Sequence, residues 1–182
     1  MAALLRCLRR LYAAGMPDEA LRAIGLTVGS DVPFCVSGGT SLAEGRGERL
    51  TDLPPLPVCQ IVLCKPDFGI STPELFVLAD GAVLSKRPDI AGLTAALQGG
   101  ELTGVTDRLC NVFEEFLPER YQEVFRIKEI LLAHGALNAA MSGSGPTVYG
   151  IFESAVEAQR AAEVLKKSYQ QTYVAKPVKK LV

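Results

Sequence analysis

Three features of this 182-residue sequence have residue types and spacing that could do chemistry: a carboxylate, a glycine loop and an aromatic ring. Asp31 stands in Gly29-Ser30-Asp31-Val32-Pro33-Phe34, ahead of an apolar run that reads as a strand. A carboxylate held between a helix end and a rigid Val-Pro step is placed to take a proton from a substrate hydroxyl. The plainer alternative is a turn or capping aspartate, because Gly, Ser, Asp and Pro gather in turns. Gly143-Ser144-Gly145 falls between two expected strands. Such a loop can turn backbone N–H groups toward an anion, and glycine lets a phosphate come close. A tight hairpin turn has the same composition. Phe76 follows Thr72-Pro73 by one helical turn and could present its ring to a base, although an aromatic at that spacing is also ordinary core. His134 reads as a helix C-terminal cap, and Glu44-Gly45-Arg46-Gly47-Glu48 as a charged connection.

Other chemistries find no support. The sequence has no G-x-x-x-x-G-K-[ST], no strand-borne G-x-G-x-x-G and no H-E-x-x-H, which removes the P-loop, dinucleotide and zincin readings. Five scattered cysteines (Cys7, Cys35, Cys59, Cys64, Cys110) and one histidine offer no grouped ligand pairs for structural zinc, so no metal site is assigned. Cys59 and Cys64 sit five apart in a strand-like run and should point to opposite faces. The thiols read as reduced and mostly buried, as in a cytosolic protein. Lys+Arg 19 against Asp+Glu 20 leaves a net charge of -1, with no basic surplus to draw nucleic acid or an anionic membrane. No apolar run reaches the roughly 18 residues of a membrane span. The first ten residues interleave arginines with leucines, unlike a secretion signal, so the cytoplasm is expected, or a plastid if the source is a plant.

The elements that must position these residues follow from periodicity. Leu4, Leu5, Leu8, Leu11 and Tyr12 line one face of a helix over Met1–Ala14, and Pro17–Thr27 gives a second. Val32–Val36 and Thr40–Glu44, around Ser37-Gly38-Gly39, read as a hairpin. Three prolines between Asp52 and Pro57 mark a boundary. Val58–Cys64 is a buried strand, and Thr72-Pro73 opens a helix with Thr72 as its cap. Helices are expected at Ile90–Gln98, Asn111–Phe116 and Glu119–His134. Strands are expected at Leu137–Met141, Thr147–Phe152 and Thr172–Ala175, with a Ser154/Glu157 capping box opening a helix between the last two. The order is that of an α+β layer, with helices on one face of a mostly antiparallel sheet, similar to a ferredoxin-like split βαβ unit with extra helices.

Three segments in order carry a family resemblance: Gly29-Ser30-Asp31-Val32-Pro33-Phe34-Cys35-Val36-Ser37-Gly38-Gly39, Lys65-Pro66-Asp67-Phe68-Gly69-Ile70-Ser71-Thr72-Pro73, and Met141-Ser142-Gly143-Ser144-Gly145-Pro146-Thr147-Val148-Tyr149-Gly150. With Ala43–Glu48 and Asn111 between them, the chain resembles the GHMP small-molecule kinases. Within them it is most similar to those acting on 4-diphosphocytidyl-2-C-methyl-D-erythritol in the non-mevalonate isoprenoid route. The resemblance implies ATP-dependent phosphorylation of the 2-hydroxyl of that cytidine-diphosphate sugar alcohol, with Mg2+ beside the ATP phosphates. It implies Asp31 as the catalytic aspartate, Gly143, Ser144 and Gly145 as a glycine loop over the phosphates, and Pro73 and Phe76 as a lining of the cytosine pocket. It also implies residues 1–57 as what remains of the N-terminal subdomain and residues 58–182 as the C-terminal one.

The sequence departs from the family at its front. The motif P-x-x-x-G-L-G-x-x-S-S, which leads into the helix matched by Met1–Ala14, does not occur here, nor does the lysine that the family sets beside the aspartate. The expectation is of a kinase lacking its N-terminal portion. The alternatives are a kinase for another small alcohol, of homoserine or mevalonate type, or a fragment that binds nucleotide without turnover.

Overall fold

The structure, a computed structural model, describes residues 1–81, 83–85 and 87–178. Residues 179–182, the end of the expected C-terminal subdomain, lie outside the described residues. The chain divides into two compact units, Met1–Pro55 with Val178, and Leu56–Pro177.

In the first unit, α1 spans Ala2–Tyr12 and α2 spans Asp18–Leu26. Asp18 and Glu19 sit in the first turn of α2, where the helix dipole favours negative charge, and Asp18 forms an ion pair with Arg9 of α1. Helix α2 buries Leu21 and Gly25, whereas α1 buries no residue.

The expected hairpin around Ser37-Gly38-Gly39 is not formed. Val32–Ser37 is a short helix, α3, and Asp31 is its N-terminal flanking residue. Pro33 lies in the first turn, where a missing N–H costs no intrahelical bond. The Cys35 N–H closes that turn on the Asp31 carbonyl at 3.1 Å. Five apolar residues bounded by glycines fit a strand or a helix equally well, and the proline decides it. The hairpin present in the unit is one step later, between β1 (Thr40–Glu44) and β2 (Arg49–Leu53), with Thr40 opposite Leu53 and Glu44 opposite Arg49. Its tip is the charged segment around Gly45 and Gly47, both at positive φ.

The second unit opens with β3 (Gln60–Lys65), α4 (Thr72–Asp80), α5 (Ile90–Gly99) and α6 (Leu102–Thr106). Ser71, not Thr72, caps α4: its hydroxyl accepts the Glu74 N–H at 3.4 Å, leaving Thr72 and Pro73 inside the first turn. Asn111–Phe116 is not an α-helix but a 3-10 turn over Val112–Phe116 capped by Asn111, followed by a second such turn at Glu119–Tyr121. Then come α7 (Glu123–Ala133), β4 (Asn138–Met141), β5 (Val148–Phe152), α8 (Ala155–Lys166) and β6 (Gln171–Ala175).

The four strands form one antiparallel sheet in the order β4-β5-β3-β6, and α7 and α8 pack on one face. That strand order is the ferredoxin-like one. Alternation along β3 sends Val62 and Cys64 toward the helices, where they join Val148, Phe152, Ile127, Leu131, Ala161 and Leu165 in the main core. Ile61 and Ile151 face the other way, with Cys59 and Leu102.

Cys59 and Cys64 therefore lie in different clusters, as their spacing requires. Burial pushes both thiols up from the usual range, which keeps them protonated. Cys7, Cys35 and Cys110 are exposed, so the expectation of mostly buried thiols fails for three of the five. Cys7 is on α1, which buries no residue, Cys35 on the short α3, and Cys110 just ahead of the 3-10 turn. Among the described residues no helix is long and apolar enough to cross a membrane.

Candidate functional site

Asp31 is exposed at the head of α3, with backbone angles in the helical region. Its side chain makes no cap bond to its own helix, which leaves the carboxylate available to solvent. The backbone just before it is fixed by the hairpin tip. Gly47, at φ +101, comes so close to this segment that a Cβ there would stand 2.8 Å from the Ser30 carbonyl oxygen. Arg46 and Glu48 of the same tip, with the backbone from Leu26 to Ser30, line a groove of about 460 Å3. Backbone N–H bonds, including one from Arg46 at 2.6 Å, hold the Glu48 carboxyl below its ordinary pKa. The tip is thus one wall of the groove, with residues 26–30, the segment before Asp31, as the other. The segment is the charged connection its composition suggests, and the two glycines flanking Arg46 mark a backbone that takes positive φ.

The glycine loop joins β4 to β5 in the second unit. Ser142 N–H donates to the Thr147 carbonyl at 2.8 Å, and Gly145 N–H to the Ser142 carbonyl at 2.9 Å. Gly143 and Gly145 have φ of +55 and +77, and the Gly145-Pro146 peptide is cis. The Gly143 and Ser144 N–H groups donate to no acceptor among the described residues. Gly145 has no room for a side chain: a Cβ would run into the Met141 sulfur. Two free N–H groups in succession on a glycine loop are the chemistry that holds a phosphate.

Pro73 and Phe76 stand on α4, both exposed. Phe76 is 55% exposed, which sets aside its reading as a core aromatic. Its ring meets Phe113 edge-on, at 5.3 Å between centroids and 83° between planes. Thr72, at the start of α4, shares a 2.7 Å hydrogen bond between its hydroxyl and that of Ser144. The structure therefore brings the Pro73–Phe76 helix and the Gly143–Gly145 loop together within one unit. A groove of about 370 Å3 runs past the loop, lined among others by Asn111, Phe113, Ser142 and Gly143.

Sequence reasoning missed what holds this arrangement. Thr72 is not the helix cap, and nothing in the types of Glu114 and Lys128 marks them out. The Glu114 carboxylate accepts the Met141 N–H at 2.6 Å and forms an ion pair with Lys128. Asn111 bonds the same strand end and the loop. No signal in the sequence pairs these residues, because their partners lie 14 to 32 positions away. Among the described residues there is no group of three His, Cys, Asp or Glu side chains able to hold a metal ion.

Residues 93–171 match the family described as GHMP kinases C terminal. The chain is similar to the 4-diphosphocytidyl-2-C-methyl-D-erythritol kinase of Clostridium acetobutylicum, 37% identical over 177 residues, covering 97% of this chain and 63% of that one. It is 42% identical over 179 residues to the protein of that name from Enterococcus faecalis, covering 98% and 62%. Among solved structures, a 4-(cytidine 5'-diphospho)-2C-methyl-D-erythritol kinase superposes with a TM-score of 0.77 at 28% identity, over 97% of this chain and 62% of that one. A mevalonate kinase of L. major in complex with R-mevalonate superposes with a TM-score of 0.75 at 16% identity, over 98% and 64%, and shares the fold. The chain spans 57% to 63% of the length of the curated relatives it matches.

Proposed function

We propose that this chain, whose residues 93–171 match the C-terminal family of the GHMP kinases, takes part in phosphoryl transfer from ATP to the 2-hydroxyl of 4-diphosphocytidyl-2-C-methyl-D-erythritol. This is a step of the non-mevalonate route to isoprenoids, carried out in the cytoplasm. The reading takes Met1–Pro55 as part of the family's N-terminal subdomain and Leu56–Pro177 as the C-terminal one. The observation that carries it is the 2.7 Å Thr72–Ser144 bond, which ties an exposed aromatic helix to a loop with two uncommitted N–H groups. A nucleoside diphosphate needs both features, a flat apolar surface for its base and donors for its phosphates.

In this reading the Asp31 carboxylate accepts the proton of the attacking hydroxyl. The new bond forms between that oxygen and the terminal phosphorus of ATP, while the bond from that phosphorus to the ADP oxygen breaks. Gly143 and Ser144 donate N–H bonds to phosphate oxygens and steady the charge that gathers there. Phe76 offers the exposed part of its ring to the cytosine, with Pro73 beside it. ATP supplies the transferred group. Mg2+ accompanies nucleotide phosphates through their own oxygens and few protein carboxylates. The described residues present no acidic cluster for it, so no step is assigned to the ion.

The test is ADP release with the cytidine-diphosphate sugar alcohol, ATP and Mg2+. Turnover that Asp31→Asn lowers by about 10²–10⁴-fold, the span of a general base, supports the reading. A chain that binds ADP but releases none from ATP would replace it with nucleotide binding alone. Preference for homoserine or mevalonate over the cytidine compound would move it to another kinase of the same fold.

A further inference from the structure

Asn111 sits outside both the loop and the helix of the site, yet its side chain uses every polar group it has to tie the loop, the strand end before it and a 3-10 turn together. We infer that Asn111 is the positioning residue of the glycine loop, an assignment that rests on the phosphate-binding reading above. One amide hydrogen goes to the Met141 carbonyl at 2.7 Å and the other to the Gly143 carbonyl at 2.8 Å. The side-chain oxygen accepts the Phe113 N–H at 3.0 Å and so caps the 3-10 turn that carries Phe113 to the edge of Phe76.

The need for such a residue follows from the sheet. Strand β4 is at the edge of the order β4-β5-β3-β6, so one row of its backbone groups has no strand partner. At Met141 that row is met by side chains of the 3-10 turn. Glu114 takes the Met141 N–H, itself held by the Lys128 ion pair, and Asn111 takes the carbonyl. The grip then extends two residues into the loop. With the Gly143 carbonyl tied to Asn111 and φ at +55, the peptide is held with its donors uncommitted. A glycine loop without that tie would sample many backbone states, and each bound phosphate would have to order it anew.

An Asn-to-Asp exchange separates this role from simple capping. Aspartate caps about as well as asparagine, so Asn111→Asp keeps the bond to the Phe113 N–H. It loses both donors and sets a carboxylate against two carbonyl oxygens. The experiment is ADP titration of the full chain, with amide hydrogen exchange measured by NMR on the ligand-free protein. Amides of α7 and β3 serve as the control for folding. In Asn111→Asp we expect the Gly145 amide, which donates to the Ser142 carbonyl, to exchange at least about tenfold faster and ADP to bind about tenfold more weakly, the scale of one net hydrogen bond, with the control amides unchanged. Asn111→Ser also keeps a capping oxygen but reaches neither carbonyl, and gives the same result should the aspartate variant fail to fold. Wild-type affinity and wild-type loop exchange in these variants would overturn the assignment while the phosphate reading stood. Failure of the unaltered chain to bind ADP would overturn the phosphate reading and the assignment with it.

Discussion

Gly143 and Gly145 are two residues apart and both have positive φ, at +55 and +77, but their surroundings differ. A Cβ on Gly143 would meet nothing within 4 Å, whereas one on Gly145 would strike the Met141 sulfur and lie 3.1 Å from Ile70. Gly143→Ala should cost only the left-handed backbone penalty of about 1–2 kcal/mol. Gly145→Ala adds a steric clash against a buried methionine and should cost about 1–3 kcal/mol more. Urea unfolding of the two variants checks the order, and equal losses would refute it. These glycines were legible in the sequence because an exceptional backbone leaves a mark on residue type. Asp31 and Phe76 were legible as candidates for the same reason, since their types carry their chemistry. Asn111 was legible only as part of the family resemblance, because an asparagine says nothing about which distant carbonyls its amide will find.

At the scale of elements, α8 and the βαββαβ order could be read directly, and α3 could not. Ser154 and Glu157 announce α8, and the hydroxyl does accept the Glu157 N–H at 3.3 Å. Val32–Ser37 gave no such cue, since six residues are too few to tell a period of 3.6 from one of 2. Tyr169, between α8 and β6, shows how an element junction sets a pH response. It is buried and donates its hydroxyl to the Glu123 carboxylate at the start of α7. Burial, and then the carboxylate, push the phenol up to about 12 from a value of 10.0. Because the folded value is the higher one, the stabilisation is complete below pH 10 and is lost as the pH rises through 12. Two units correspond to about 2–3 kcal/mol. The stability difference between the unaltered chain and Tyr169→Phe should therefore shrink by about 2 kcal/mol between those limits. A difference that stays constant with pH in denaturant titrations would rule this out.

For the whole molecule, the sequence placed a boundary among Pro54, Pro55 and Pro57, and the compact units divide at Pro55. What it did not convey is how unequally the two units are buried. Both hydrophobic clusters belong to Leu56–Pro177, with Val62, Phe152, Ile127, Leu131 and Leu165 among the side chains fully or almost fully removed from solvent. In Met1–Pro55 the buried large apolar side chains are Leu21 and Val36, and the α1 stripe leaves Leu4, Leu8 and Leu11 at 54%, 44% and 72% exposure. Each fully buried side chain of this size contributes about 1.5–3 kcal/mol, so the first unit has a small reserve against the entropy of ordering its chain. Opening free energies should differ accordingly. Native-state hydrogen exchange is expected to show the amides of α2 and of the β1–β2 hairpin opening at far lower free energy than those of β3, β5 and α7. Mild denaturant should remove the first unit while the second keeps its protection. Uniform protection, with both units lost in one transition, would mean that the first unit draws its stability from something other than its own core.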